Sequence, residues 1–576
     1  MADKLEELIK WSKENGTYID DRISFQNISG RGISAVINAD INSGDNLIKV
    51  PKGIFLTPDL ALRYFGSHWK TTHDRNEQLQ LLLARLKFEK EDTIVDGVNI
   101  SKKMAAYIDF LPDQGKDIGL PYFWNEEEKD MLRGTDAIIF LQRFMDAIVD
   151  EWYNSVTGLE GVTLSQDMEK FYKDYKKGYY KNGTFVFLDQ PIKSWTSFPA
   201  YLWAHCIFAS RAFPYVLIDP HEKKVHKAFL LPIMDLLNHE IGCNVRWDYN
   251  DDEYVSFTAR ESADRMKNGH ELFNNYGNKP NYQLLLGYGF VIPNNTFDIT
   301  TLTLKVDKET VEGARMFGAK LPEDASELGI NFEISRQDIL PEGLVDFFAY
   351  VVRLKSEDGM YTTRMKLEGV INLRAILETK VKVFKNFKMQ VSSWTSPCVA
   401  RAIKTYRTSQ KTMFQNAIDE TNRLEKTLLK QYKPLSFKEV VKQDTVFFNS
   451  LLLTFGVMNY DDLIKKKLLD QAVLLWIVRN ANKKHYKDMD QQIFPDFIYD
   501  TFSDVKKMVP ITKEDVIEFR NIYSSLFPAL TERIPEVYNV GDWSPRNFIV
   551  AGTVCDRLTF KRPSNSEVFF LEKKSI

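Results

Sequence analysis

Short runs of β-forming residues, broken by glycine and proline, occur in two stretches of this chain, 23–51 and 228–258. Between them the sequence changes to apolar residues spaced three and four apart, which is the pattern of amphipathic helices. That pattern is clearest at 78–89 and 137–153, and a further helix is expected at 199–212. The sequence therefore predicts a β region that is interrupted by a helical insertion.

The chain beyond residue 295 has a largely helical pattern. We expect one long helix at 401–430 and another at 461–484. With 576 residues the chain is too long for one ordinary core, so at least two domains are expected. The predicted fold class is α+β: a β domain with a helical insertion, followed by a largely α-helical domain.

Composition narrows the classes of function. The formal net charge is −3 and the basic residues are scattered, so nucleic acid is not an expected partner. No apolar run reaches the length of about 18 residues that suggests a transmembrane helix, and the charged N-terminus does not resemble a signal peptide. A membrane partner is therefore not expected. The four cysteines form no CxxC pair, so we expect no metal site and interpret them as reduced thiols.

A first candidate segment for ligand binding is Ser29-Gly30-Arg31-Gly32. Its two glycines allow backbone groups to approach a ligand closely, because no Cβ atom intervenes. A tight hairpin turn is the simpler interpretation of this segment alone.

A second candidate segment follows an apolar run and places Asp235, Asn238 and His239 within five positions. Taken alone, it is more simply interpreted as the end of a helix or strand that Asn238 caps, with His239 bonded to its neighbours. Only its combination with the other segments gives it a functional meaning.

A third candidate segment runs from Gly269 to Gly277, with Tyr276 before its last glycine, and is followed by the run Tyr288-Gly289-Phe290. Glycine permits the sharp turns that aim a neighbouring phenol into a cavity. The alternative role for either tyrosine is a packing corner.

Together, the order and identities of these residues resemble the SET-domain methyltransferases. More specifically, they resemble the branch that includes the Rubisco large-subunit methyltransferase and the fungal ribosomal and elongation-factor lysine methyltransferases. That branch has a Gly-x-Gly turn, an Asn-His pair after an apolar strand, a Tyr-Gly step and a closing Tyr-Gly-Phe, and this chain has all four in order. Arg211 also matches the family's Ser-Arg step, and Leu111-Pro112 and Trp124 match its insertion.

The resemblance implies a SET catalytic domain at 1–295, with a helical insertion at about 85–200, and a helical substrate-binding domain at 296–576. It implies a protein-lysine methyltransferase that uses S-adenosylmethionine and needs no metal. Tyr276 would be the catalytic tyrosine, while Asp235 and Phe213 would face the substrate. The residues that would contact the cofactor are Ser29, Gly30, Arg31, Arg211, Asn238, His239, Tyr288 and Phe290.

The chemistry explains why such residues are needed. Methyl transfer to lysine requires a neutral amine, but the pKa of a free lysine is about 10.4. An apolar channel lowers that pKa because it disfavours the ammonium. Aromatic walls hold the alkyl stem and tolerate the cation that forms, and a tyrosine hydroxyl can orient the amine. Alignment of this kind supplies roughly 7–11 kcal/mol of the acceleration.

Two features narrow the substrate. Many histone-directed SET enzymes carry a zinc-binding cysteine cluster after the closing motif, and this chain has none, which indicates a non-histone substrate. A relative that methylates histidine carries an amide two positions after the conserved arginine, where this chain has Phe213. An apolar ring suits a lysine stem better than an imidazole, so lysine is the expected target.

We expect the protein substrate to be a ribosomal protein or an elongation factor, on family resemblance alone. Methylation of cytochrome c or of histidine remains an alternative, and so does an inactive SET-like interaction protein. A transferase or hydrolase that pairs Asp235 with His239 is a further alternative, although it would lack a nucleophile motif such as G-x-S-x-G. The protein is expected to be a monomer in the cytoplasm, with the nucleus as an additional location.

Overall fold

The fold is described from a computed structural model of the chain. The described residues are 2–28, 31–66, 69, 76–180, 190–224, 226–243, 245–249, 253–260, 266–326, 329–393, 395–486, 493–508, 510 and 512–574. The chain divides into two compact units. Unit 1 comprises Met1–Thr300 and Val383–Thr412, and unit 2 comprises Thr301–Lys382 and Met413–Ile576.

Some helices of unit 1 that precede residue 300 begin at a side-chain cap. Thr57 accepts a hydrogen bond from a backbone N–H of the first turn that follows it, and Ser197 does the same for a later helix. The described helices are α1 (Ala2–Glu14), α2 (Pro58–Phe65), α3 (Glu77–Phe88), α4 (Ile100–Lys103), α5 (Ala105–Phe110), α6 (Gly115–Ile118), α7 (Glu126–Asp130), α8 (Asp136–Thr157), α9 (Gln166–Lys176), α10 (Phe198–Arg211) and α11 (Asn281–Tyr288). Three of them, α3, α8 and α10, occupy the positions where the sequence predicts helices.

The strands of unit 1 are short and lie on both sides of the helical insertion. They are β1 (Tyr18–Ile19), β2 (Ile23–Ile28), β3 (Gly32–Ile37), β4 (Asn46–Pro51), β5 (Ile94–Val95), β6 (Val98–Asn99), β7 (Ala212–Pro214), β8 (Ala228–Leu230), β9 (Val245–Tyr249), β10 (Tyr254–Ala259) and β11 (Glu271–Leu272). The sheets have the strand orders β1-β4-β10-β9 and β11-β3-β2, and two hairpins pair β5 with β6 and β7 with β8.

Pairing joins strands that the insertion separates in sequence. Strand β10 runs antiparallel to β4 with Val255 opposite Val50, and β11 runs antiparallel to β3 with Leu272 opposite Ala35. All four of these side chains are buried in one core, which also contains helical residues such as Trp203 of α10. The prediction of a β region interrupted by helices is confirmed.

The chain from residue 299 onward is mainly helical, as the sequence predicts. Its described helices are α12 (Lys308–Phe317), α13 (Glu342–Val351), α14 (Thr363–Asn386), α15 (Pro397–Tyr432), α16 (Phe437–Gln443), α17 (Thr445–Phe455), α18 (Tyr460–Lys465), α19 (Leu469–Ala481), α20 (Asp496–Met508), α21 (Lys513–Arg533), α22 (Pro535–Tyr538) and α23 (Pro545–Leu558). Its described strands are β12 (Ile299–Leu304), β13 (Ile330–Ser335), β14 (Leu435–Ser436), β15 (Thr559–Lys561) and β16 (Val568–Phe570).

Two observations refine the predicted organisation. The helix expected at 461–484 is broken between α18 and α19, where Lys467 has a φ of 56° and cannot continue a right-handed helix. Val383–Thr412 belongs to unit 1, in which Ile403 and Tyr406 pack with Trp124. The compact units are therefore not separated by a single cut, and the functional division at residue 295 stays a prediction.

Three further observations concern membranes, metals and thiols. None of the described helices combines the length and the apolar character that a membrane span requires. Within the same described ranges, no three His, Cys, Asp or Glu side chains are grouped in a way that could hold a metal ion. All four cysteines are free thiols, and Cys206 is buried.

Candidate active site

A strained turn introduces the first group of candidate residues. After β8, Ile233 has a φ of 73° and a ψ of −49°, a conformation that β-branched residues rarely adopt. Ile233 is fully buried, so the surrounding core maintains this turn. The following residues Met234–Leu236 form one 3-10 turn, after which Asn238 contacts strands β3 and β11 through hydrogen bonds.

Asn238 is fixed against the hairpin that carries the Gly-x-Gly segment. Its amide nitrogen donates to the carbonyl oxygen of Ile33 at 3.1 Å and to the carboxylate of Glu271 at 2.7 Å. The same carboxylate accepts from the guanidinium of Arg31 at 2.9 Å, although only 6% of the Glu271 side chain is exposed. Glu271 thus connects two residues that the sequence assigns to the cofactor. Asn238 is not the helix cap of the simpler interpretation.

His239 presents one satisfied and one unsatisfied ring nitrogen. Nδ1 accepts a hydrogen bond from the backbone N–H of Tyr276 at 3.0 Å. Burial lowers the pKa of His239 below its ordinary value, so the ring is neutral at physiological pH and Nε2 carries the proton. Nε2 is buried and has no hydrogen-bond partner among the described residues. A buried donor of this kind is ready for an acceptor on a ligand.

Tyr276 follows β11 and precedes Gly277, which has a φ of 98° and permits the sharp turn. Its hydroxyl donates to the carbonyl oxygen of Leu237 at 2.7 Å. Burial raises the pKa of Tyr276, so the phenol keeps its proton and acts as a hydrogen-bond donor, not as a base.

Tyr276 and three neighbouring rings form an aromatic cluster. The Tyr276 ring is stacked on His239 with centroids 5.0 Å apart and on Tyr288 with centroids 4.6 Å apart. The ring centroid of Phe290 lies 6.2 Å from that of His239 and 6.2 Å from that of Tyr288. Burial raises the pKa of Tyr288 to about 12, so this phenol is also protonated. The cluster offers flat apolar faces of the kind that hold an adenine or an alkyl stem.

Arg211 is the last residue of α10 and reaches the turn that carries Asp235. Its Nη1 donates to Oδ2 of Asp235 at 3.1 Å and to the backbone oxygen of the same residue at 3.2 Å. Burial opposes the charge of Arg211, but the adjacent carboxylate outweighs that effect and raises the pKa of Arg211. Tyr107 of α5 donates to the same Oδ2 at 2.9 Å. The pair is therefore both charged and hydrogen-bonded.

A cavity of about 410 Å³ opens beside these residues. Phe213 belongs to its wall and packs on Trp247 with ring centroids 5.2 Å apart, while Trp247 donates to Asn274 at 3.0 Å. The predicted site residues on the wall are Arg211, Phe213, Asp235, Tyr276 and Tyr288. Arg31, Asn238, His239 and Phe290 do not line it. Tyr276 contacts both groups and is the residue where they meet.

The structure thus brings the described predicted residues into one region of unit 1. Ser29 and Gly30 lie outside the described residues. Sequence reasoning missed Tyr107, Glu271 and Trp247. Glu271 lies inside the third candidate segment and Tyr107 shortly before Leu111-Pro112, so their positions near motifs were the available signal.

Comparison with solved structures identifies the fold. The SET domain of LSMT bound to MeLysine and AdoHcy is 18% identical, with a TM-score of 0.51 over 74% of this chain and 94% of that chain. Rubisco LSMT bound to AdoMet is 17% identical, with a TM-score of 0.50 over 74% of this chain and 93% of that chain. This likeness establishes a SET fold.

Comparison with known sequences identifies the family. Residues 299–432 match the family described as EFM1 middle domain. The protein-lysine N-methyltransferase EFM1 of Saccharomyces cerevisiae is 36% identical over 99% of this chain and 98% of its own length. Ribosomal lysine N-methyltransferase 1 of the same yeast is 28% identical over 84% of this chain and 88% of its own length.

Fold, site and relatives together define a SET-domain methyltransferase. More specifically, the chain belongs to the EFM1 family of protein-lysine N-methyltransferases, and S-adenosylmethionine is its methyl donor. The predicted enzyme class and cofactor are confirmed. The site fits this cofactor, because the unpartnered Nε2 donor of His239 and the aromatic faces of Tyr288 and Phe290 lie together.

Proposed function

We propose that this enzyme methylates a lysine of a protein of the translation machinery, an elongation factor or a ribosomal protein, in the cytoplasm. The sequence similarity to ribosomal lysine N-methyltransferase 1 supports this substrate class. So does the 26% identity to ribosomal lysine N-methyltransferase set10 of Schizosaccharomyces pombe, over 58% of this chain and 58% of that protein.

The observation that carries the proposed site is the position of Tyr276 between two groups of residues. On one side lie Asn238 and His239 with the hairpin of β2 and β3, and on the other lies the cavity that Phe213 and Asp235 line. We assign the first side to the cofactor and the second to the substrate lysine. The proposed cofactor residues are Ser29, Gly30, Arg31, Arg211, Asn238, His239, Tyr288 and Phe290. Two of them, Arg211 and Tyr288, also line the cavity that we assign to the lysine, where the two sides meet.

S-adenosylmethionine supplies an electrophilic methyl group when it is bound. The lysine nitrogen would form the new bond to the methyl carbon as the carbon–sulfur bond breaks. The positive charge would pass from sulfur to nitrogen, and the methylated amine would then release one proton to solvent. The role of the protein is to keep that amine neutral and aligned. The rings of Phe213, Trp247 and Tyr288 supply an apolar wall that disfavours the ammonium.

Polar groups then fix the direction of the amine. Tyr276 keeps its proton and is held by Leu237, so its phenol oxygen presents a fixed lone pair to a donor in the cavity. The charge of Arg211 is balanced by Asp235, which leaves little net charge from this pair to repel a cation. These residues favour alignment over acid–base catalysis.

The substrate is tested by incubating the enzyme with labelled S-adenosylmethionine and an extract of cells that lack its gene. We expect label on a lysine of an elongation factor or a ribosomal protein. The Tyr276→Phe variant at equal concentration serves as the matched control and should leave that protein almost unlabelled. Label on cytochrome c, on a histidine or on no protein of the translation machinery would contradict the proposal.

The cofactor side is tested separately by calorimetry. Replacement of both Asn238 and His239 with Ala should abolish binding of S-adenosylmethionine while a cooperative thermal melt remains. Parental affinity in that variant would show that the two residues are not part of the cofactor site.

A further inference from the structure

A tyrosine of the helical insertion reaches the candidate active site from a helix that no motif marks. Tyr107 lies on α5 and is fully buried. Its hydroxyl donates to Oδ2 of Asp235 at 2.9 Å, and Arg211 donates to that same oxygen at 3.1 Å. Two donors therefore converge on one oxygen of a carboxylate whose side chain is not exposed at all.

The second oxygen of this carboxylate, in contrast, receives no hydrogen bond from the described residues. Oδ1 of Asp235 is buried and has no hydrogen-bond partner in the described part of the chain. Asp235 also lines the cavity together with Tyr276. A buried carboxylate oxygen without a donor is costly. The N–H groups of a lysine amine in the cavity would supply the missing donor.

We propose that Tyr107 is a positioning residue for methyl transfer: it fixes the rotation of the Asp235 carboxylate, so that Oδ2 holds Arg211 and Oδ1 is presented to the lysine amine. This inference rests on the proposed assignment of the cavity to the substrate. It adds a residue of the insertion, 128 positions away in sequence from Asp235, to the machinery of the site.

The electrostatics of the carboxylate make the inference measurable. Burial raises the pKa of Asp235, while the charge of Arg211 and the hydrogen bonds from Tyr107 and Arg211 act in the opposite direction. The groups that face Asp235 are Arg211 of α10, Tyr107 of α5 and Tyr276 after β11. Without the Tyr107 hydroxyl, the pKa of Asp235 should rise further. A protonated Asp235 no longer pairs with Arg211.

The test compares Tyr107→Phe with the parent enzyme in the full-length chain. At low pH, kcat/KM falls through protonation of the substrate lysine, of His239 and of Asp235, and only the Asp235 limb depends on Tyr107. Loss of a hydrogen bond to a charged group should move the Asp235 limb upward by about one pH unit. At pH values below the parental Asp235 limb, we expect kcat/KM to be about tenfold lower than in the parent, the loss that one pKa unit corresponds to, with the affinity for S-adenosylmethionine changed less than twofold.

Tyr201→Phe is the matched control. Tyr201 is also fully buried and also donates to a buried carboxylate, that of Glu151, but neither residue lines the cavity. This variant should lower the melting temperature and keep the parental pH profile of kcat/KM. If Tyr107→Phe shows the parental profile, or only what Tyr201→Phe shows, the positioning role is wrong.

A second substitution at position 107 covers the case in which Tyr107→Phe does not fold. With 3-fluorotyrosine in place of Tyr107, the ring and the hydroxyl remain, and the more acidic phenol is a stronger donor. The Asp235 limb of the profile should then move to lower pH. An unchanged or upward limb would overturn the inference.

Asp235→Asn separates failure of this inference from failure of the proposed site. If Asp235→Asn is impaired while Tyr107→Phe matches the parent, only the positioning role of Tyr107 fails. If Asp235→Asn itself keeps parental kcat/KM, the assignment of Asp235 to the substrate fails and the inference fails with it.

Discussion

The hydroxyl of Tyr276 donates a hydrogen bond of 2.7 Å to the backbone oxygen of Leu237. This bond fixes the phenol at the end of the segment that carries Asn238 and His239. The N–H of Tyr276 bonds to His239 at 3.0 Å, so the same residue is held to this segment at two points. Such double attachment is what a preorganised catalytic group requires.

Tyr276→Phe should therefore reduce methyl transfer without disturbing the fold. The ring keeps its stacking on His239 and Tyr288, and only the hydroxyl is lost. Removal of a catalytic polar contact typically costs roughly 2.7–4 kcal/mol, or about 10²–10³ in rate. Single-turnover methylation assays should show the loss in kcat, with the affinity for S-adenosylmethionine preserved.

Tyr288→Phe is the comparison for that experiment. Tyr288 belongs to the same stack and lines the same cavity, but we assign it to the wall. Tyr288→Phe should therefore lower the rate of methyl transfer clearly less than Tyr276→Phe does. If Tyr276→Phe keeps more than about a third of the parental rate, far short of the expected loss, the catalytic assignment of Tyr276 should be withdrawn.

Glu271→Gln should weaken cofactor binding, although Glu271 is not predicted to contact the cofactor. The substituted amide has a single acceptor oxygen, so its NH2 group would face either Asn238 or Arg31, both of which now donate to Glu271. A buried polar group left without its partner costs about 1–3 kcal/mol. Calorimetry should show a Kd for S-adenosylmethionine that is about tenfold higher.

The control for Glu271→Gln is Glu253→Gln. Glu253 pairs with Lys52 at 2.8 Å, but 64% of its side chain is exposed. Exposed pairs contribute little, so its Kd and melting temperature should match those of the parent. If the two variants have the same Kd for S-adenosylmethionine, Glu271 does not help to position the cofactor residues.

The predicted fold and the observed fold agree where periodicity is strong. Helices α8 and α10 and the interrupted β region follow from apolar spacing and from glycine. The break between α18 and α19 could not be predicted, because Lys467 is a good helix former and only its tertiary surroundings impose a φ of 56°. Likewise, Ile403 belongs to unit 1 because it packs in a cluster with distant residues such as Trp124 and Leu285.

The site could be predicted as far as its motifs extend. Asn238, His239 and Tyr276 lie in segments with unusual local composition, so their order along the chain identifies them. Tyr107 lies near Leu111-Pro112 but is not itself part of a motif, and Trp247 has no motif beside it; a large aromatic residue in an apolar pattern is usually core. Their roles depend on contacts between distant segments, such as Tyr107 with Asp235, which only the folded chain creates.

Arg479→Met should strongly lower the free energy of unfolding of unit 2. Arg479 donates to both oxygens of Asp444 at 2.8 and 3.1 Å, and neither side chain is exposed. Removal of one member leaves a buried charge without its counterion and costs about 3–5 kcal/mol. Urea unfolding followed by far-UV circular dichroism should report this loss in the transition of unit 2.

A double-mutant cycle checks that explanation. Asp444→Asn combined with Arg479→Met removes both charges, so the double variant should be more stable than Arg479→Met alone. Additive losses from the two substitutions would mean that lost packing, and not an uncompensated charge, explains the effect.

The affinity for S-adenosylmethionine should depend on pH through His239. Burial, and secondarily the charge of Lys279, lowers the pKa of His239. Protonation of Nδ1 would remove the acceptor for the N–H of Tyr276. Because the pKa in the folded protein lies below the ordinary value of about 6.5, affinity should be constant from pH 8 to that value. It should fall only at lower pH, as the pH approaches the folded pKa.

His239→Asn tests this assignment, because the amide can still accept from Tyr276 but does not titrate in this range. Its Kd for S-adenosylmethionine, measured by calorimetry from pH 5 to pH 8, should be about tenfold higher at pH 8. It should also lack the decline in affinity below pH 6.5. His221→Asn, at an exposed histidine outside the site, should keep both the affinity and the decline. If the decline persists unchanged in His239→Asn, another group is responsible for it and His239 does not hold the cofactor as a neutral ring.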